Sequence, residues 1–169
     1  MEERVGYVIE DDGWDQERGL HTSYQLLDLL AEHIVAGEVE LEWYTSDDWP
    51  AAVRAAADRL ARRVAPHRNI DEDLCVIAEL DESTKSDCLL VAPFAHDASF
   101  TRAGGWRDRD IAYFHDENYS RIFWLTESEL PAAAAIVGPD NLLTLEEYHR
   151  RRRAGSLIGR LRNHLTRKG

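Results

Sequence analysis

The chain has 169 residues, with 20 Lys+Arg against 32 Asp+Glu and a formal net charge of −12. An apolar share of 44%, including five Trp, six Tyr and four Phe, supplies a core for one folded domain and excludes global disorder. No apolar run approaches the roughly 18 residues that a membrane-spanning helix needs, and the N-terminal stretch lacks a basic and then apolar leader, so the chain reads as cytoplasmic.

Residues 4–10 (RVGYVIE) are short and rich in Val, Tyr and Ile, which predicts a strand. Thr22-Ser-Tyr-Gln25 has capping-box spacing and opens a predicted helix over about 23–36. Leu26, Leu27, Leu30 and Ile34 line one face of that helix, and Gly37 stops it. Residues 38–45 (EVELEWYT) alternate as a strand does, and Asp48 caps a second helix over 49–65 between Pro50 and Pro66.

The apolar runs 73–80 (DLCVIAEL) and 88–95 (CLLVAPFA) predict buried strands joined through DESTKSD. Two further strands are predicted over 110–115 and 121–125. Thr126-Glu-Ser-Glu129 then opens a helix that Gly138-Pro139 ends, and Thr144-Leu-Glu-Glu147 opens the last helical region. The order β-α-β-α-β, then β-β-β, then α-α implies an α/β fold. The expectation is a mixed, mainly parallel sheet with helices on both faces. Residues 1–140 form one acidic domain in this reading, and 141–169 a basic helical extension.

Charge divides the chain sharply. Residues 1–147 carry 12 basic against 32 acidic side chains, whereas 148–169 carry eight basic and no acidic ones. An acidic body repels nucleic acid, and a basic tail attracts a polyanion or an acidic surface. Arg150, Arg151, Arg152, Arg153, Arg160 and Arg162 are the binding candidates, with Leu157, Ile158, Leu161 and Leu165 as an apolar stripe. The same tail could dock on its own acidic body, and Glu146–Arg150 and Glu147–Arg151 are spaced as helical ion pairs. Cys75 and Cys88 are too few for a disulfide framework.

Carboxylates at predicted strand ends are the first chemical constellation: Glu10-Asp11-Asp12, Asp47-Asp48 and Glu79-Leu-Asp81. In a parallel sheet these ends share one edge, where acids gather around a cation. Glu10, Asp12, Glu79 and Asp81 are then ligands for Mg²⁺ or Mn²⁺, with Glu79 and Asp81 catalytic and Lys85 steadying phosphate charge. The placement of Glu10 and Glu79-x-Asp81 is similar to that of the Mg²⁺-holding acids of Toprim domains. Asp11 stands where those domains carry Gly, and Glu79 where they carry Asp. The paired acids Glu10-Asp11-Asp12 likewise resemble those of response-regulator receivers, but Glu79 replaces their phosphorylatable Asp. Neither match extends far enough to assign a family.

His96-Asp97 and His115-Asp116 form the second constellation, suited to transition-metal ligation or to a general-base pair. These pairs meet at one edge only if their strands run parallel; surface hydrogen bonding is the plainer alternative. The third is residues 101–124, where Arg102, Arg107, Arg109 and Arg121 interleave with Trp106, Tyr113, Phe114, Tyr119 and Trp124. Asp108, Asp110, Asp116 and Glu117 cancel that charge, which favours core aromatics and a salt-bridged loop.

Two functional expectations follow. One is a divalent-metal-dependent enzyme acting on nucleic-acid or nucleotide phosphates, with the basic tail contacting the polyanion. The other is a non-enzymatic interaction module, an assembly subunit or inhibitor-type acidic protein. In that reading the basic C-terminal helix docks a partner or nucleic acid.

Overall fold

The computed structural model describes residues 3–10, 14–42, 49–63, 69–70, 73–102, 110–115 and 120–153. Its strands are β1 (Val5–Ile9), β2 (Ala36–Glu42), β3 (Asn69–Ile70), β4 (Asp73–Glu79), β5 (Asp97–Thr101), β6 (Asp110–His115), β7 (Ser120–Leu125) and β8 (Leu142–Thr144). They form one sheet in the order β3-β4-β2-β5-β6-β7-β1-β8. Every neighbouring pair runs antiparallel.

The expected mainly parallel sheet is therefore corrected, for two topological reasons. β1 and β2 do point the same way, but β7, β6 and β5 are inserted between them, each reversing direction. Between β2 and β4, the chain runs through α2 (Ala51–Arg63) into the two-residue β3, then reverses. β4 thereby meets β2 antiparallel.

The second correction concerns residues 88–95. Instead of a strand they belong to α3 (Lys85–Val91) and the 3-10 turn Ala92–Phe94. Cys88, Val91 and Ala92 are fully buried at the i, i+3, i+4 spacing of a helix. Cys88 is a free thiol there, pushed up to about 11 by burial.

The first helix also starts earlier than expected. α1 (Gln16–Leu30) is capped by Asp15, whose carboxylate accepts the Arg18 amide at 2.8 Å. Thr22 and Ser23 lie inside it and are buried. Leu26, Leu27, Leu30 and Ile34 are core residues, as their spacing implies. Gly37 belongs to β2, where a Cβ would stand 2.5 Å from the Ser99 carbonyl oxygen. Its role is close strand approach.

α1, α2, α3 and α4 (Leu130–Val137) contribute to a single core with Val39, Leu41, Ala98, Phe100, Phe114, Phe123 and Leu125 of the sheet. Each large apolar side chain so buried contributes about 1.5–3 kcal/mol. Arg121 stands opposite Phe114 on this covered face and donates from Nη1 to the Gly19 carbonyl at 2.8 Å and to Ser23 Oγ at 3.1 Å. α4 follows a closed capping box: Glu129 Oε2 accepts the Thr126 amide, and Thr126 Oγ1 accepts the Glu129 amide.

Among the described residues, the opposite face is covered at one end only. Helix α5, described over 145–153, opens with Thr144 and Glu147 bonded reciprocally as a capping box. Its Leu145 packs at Gly6 of β1, where a Cβ would meet Leu145 Cδ1 at 2.5 Å. Val8 and Leu143, paired in register on this face, are buried there. Further along this face Glu38, Glu79 and Ser99 are exposed, and Glu40, Asp97, Tyr113 and His115 are half-buried.

Candidate functional site

An antiparallel sheet disperses the acids that a parallel one would gather. Glu10 follows β1 and Glu79 ends β4, five strands away in the sheet order. At about 4.8 Å per strand that separation is about 24 Å. Five antiparallel steps also reverse direction, so the carboxyl ends of β1 and β4 lie at opposite edges.

Each of the accompanying groups has a local partner. Asp81 Oδ1 accepts from the Ser83 hydroxyl at 2.6 Å, the Ser83 amide at 2.7 Å and the Thr84 amide at 2.9 Å. Those hydrogen bonds, the Ser83 hydroxyl foremost, hold its carboxyl below the usual range. Asp81 thus shapes the turn that starts α3. Lys85 Nζ donates to the Ala31 carbonyl at 2.6 Å and the Ile34 carbonyl at 2.7 Å, placing its charge where α1 ends. Glu10 Oε2 accepts Arg151 Nη1 at 2.6 Å. Asp12 lies outside the described residues.

Among the described residues, no group of three or more His, Cys, Asp or Glu side chains is placed to hold a metal ion. Glu10, Glu79 and Asp81 are not brought together.

The basic segment divides similarly. Arg151 docks on the body through Glu10, and Arg150 pairs with Glu146 at 3.0 Å. Glu147 turns back to Thr144 instead of pairing with Arg151. Arg150, Arg152 and Arg153 are exposed. Arg160 and Arg162, with the apolar stripe at 157–165, lie outside the described residues. Of the aromatic and Arg stretch, Phe114 is core, Arg121 is buried against α1, and 103–109 lie outside the description.

His96, Asp97 and His115 do converge. Asp97, directly after His96, begins β5 and His115 ends β6, so in the antiparallel register Asp97 stands directly opposite His115. Asp97 Oδ1 accepts the Tyr113 hydroxyl at 2.6 Å and His115 Nδ1 at 3.0 Å. The Tyr113 and His115 rings stack, with centroids 6.3 Å apart and planes within 9°. The His96 ring meets the edge of His115 at 5.6 Å. Burial, then the Asp97 contact, pushes the Tyr113 hydroxyl up to about 12, so it remains a neutral donor. His115 and Asp97 side chains are 44% and 34% exposed, which opens this cluster to a partner. Asp116 lies outside the described residues.

Register extends the cluster into a wider surface. Glu40 is opposite Asp97, and Glu38 is opposite both Glu79 on β4 and Ser99 on β5. Cross-strand partners share a sheet face. The open face therefore carries Glu79, Glu38, Glu40 and Asp97 in a contiguous block, next to Tyr113, His115 and His96. The described rows of that block contain no Lys or Arg. Glu38 and Glu40 were legible as the polar half of EVELE, but only the register reveals that acids from three strands adjoin.

No family model, curated protein or solved structure matches this chain. No helix among the described residues is long and apolar enough to cross a membrane.

Proposed function

We propose that this chain is a protein-interaction module whose open sheet face receives a basic segment of a partner. The carrying observation is the block of carboxylates on one sheet face, with the exposed Glu38 and Glu79 directly opposed across β2 and β4 and the half-buried Glu40 and Asp97 in the next row. Carboxylates directly opposed across strands destabilise the free fold by up to about 1 kcal/mol per pair. A cationic partner removes that cost and gains the attraction. Such a surface also speeds encounter and rejects polyanions.

The phosphate-processing alternative would need Glu10, Glu79 and Asp81 around one cation, and their strand positions argue against that arrangement. Arg150, Arg152 and Arg153 support a second, basic contact surface on α5, separate from the acidic one.

The test is calorimetric titration of the whole chain with deca-lysine, a simple basic chain segment. The double variant Glu38→Lys/Glu79→Lys is expected to bind at least about tenfold more weakly than the parent chain. Equal affinity would overturn the assignment of this face.

A further inference from the structure

The acidic block has two imidazoles at its β6 margin, and on the reading above their charge state sets how strongly a cation is held. We propose that His96 and His115 form a proton-operated gate on this face, which binds a basic partner with neutral imidazoles and releases it when they charge.

The geometry supplies the coupling. His115 Nδ1 is 3.0 Å from Asp97 Oδ1, and the His96 and His115 ring centroids are 5.6 Å apart. Two imidazolium charges at that separation repel each other. They also adjoin Asp97 and, one strand further, Glu40, carboxylates that a basic partner must reach. Among the described residues, the charged groups in the cross-strand row of His115 are Asp97 from β5 and Glu40 from β2, and Glu38 from β2 and Glu79 from β4 stand in the next row. β6 adds Tyr113, which is neutral throughout, and β7 presents the uncharged Ser120 and Ile122 in the adjoining rows. Protonating both rings offsets half of those four carboxylate charges. The competition is reciprocal: a bound cation opposes imidazole protonation as strongly as protonation opposes the cation.

Imidazole side chains ordinarily titrate near pH 6–7, whereas carboxylates ordinarily titrate lower, so the two effects separate in pH. The experiment measures deca-lysine affinity of the whole chain at about pH 8 and about pH 5.5, at constant ionic strength, beside His96→Asn/His115→Asn. Near pH 6.5, the same titration in buffers of different ionisation enthalpy reads protons released on binding.

The parent is expected to weaken roughly tenfold or more at the lower pH and to release protons on binding near pH 6.5. The double variant is expected to change less than about twofold over the same interval and to release none. Tight binding by the parent at both pH values, without proton release, would overturn the gate while leaving the face assignment intact. A parent that binds at neither pH would overturn both. Equal pH dependence in parent and variant would also overturn the gate, assigning the effect to the carboxylates.

Discussion

Glu38 and Glu79 stand directly opposite each other on β2 and β4, on an exposed sheet face. Neither carboxylate is hydrogen-bonded or ion-paired to a described residue. Two neighbouring like charges without a local cation cost stability, so a single reversal should restore it. Glu38→Lys is expected to stabilise the free chain by about 0.5–1 kcal/mol in urea denaturation while weakening its binding of deca-lysine. A variant less stable than the parent would show that the two carboxylates do not repel appreciably.

Lys85 yields the contrasting expectation. Its ammonium satisfies two carbonyls where α1 ends, so Lys85→Met leaves both oxygens without that donor. A loss of about 2 kcal/mol is expected, with deca-lysine affinity unchanged. Stability equal to the parent's would remove Lys85 from its structural role.

Arg4 and Glu129 form a largely buried bidentate pair, with both contacts at 2.8 Å. Burial alone would raise the Glu129 carboxyl, but the Thr126 amide and hydroxyl and the Arg4 guanidinium outweigh it, leaving the carboxyl below its ordinary range. A folded-state value below the unfolded one gives stability that is present above the ordinary carboxylate range and is lost as pH falls through the lowered value. Glu129→Gln should therefore lose about 3 kcal/mol near neutral pH and show a shallower acid limb in thermal melts. An acid limb identical to the parent's would assign acid sensitivity to other groups.

Gly6 tests how α5 is seated. A methyl group there would overlap Leu145 Cδ1, so Gly6→Ala is expected to cost about 1–3 kcal/mol. Leu145→Ala in the same chain should recover part of that loss. Additive losses would show that the two side chains do not meet.

Local pattern made much of this architecture legible. The β6–β7 pair lies where the runs around Glu117-Asn118 place it, and Leu26, Leu27, Leu30 and Ile34 form the core face of α1. What local pattern lacked was neighbourhood. β1-α1-β2 follows the rule for a parallel crossover, yet three strands from later in the chain separate β1 from β2. The misread run 88–95 carried its own warning: the Asp81-x-Ser83-Thr84 turn precedes it, and its buried positions keep helical spacing. Reading that run as a strand put His96-Asp97 at a strand's end, whereas Asp97 opens β5 with His96 just before it. That one-element shift is why His115 meets Asp97 in an antiparallel sheet.

The most direct test of the acidic-face assignment is a residue-resolved map of amide shifts in the ¹⁵N-labelled whole chain titrated with deca-lysine near pH 8 and about 0.15 M salt. The expected perturbations concentrate on Glu38, Glu40, Glu79, Asp97, Ser99, Tyr113 and His115, and fade in Glu38→Lys/Glu79→Lys. Perturbations spread evenly over all exposed acids, or unchanged in the double variant, would contradict the assignment.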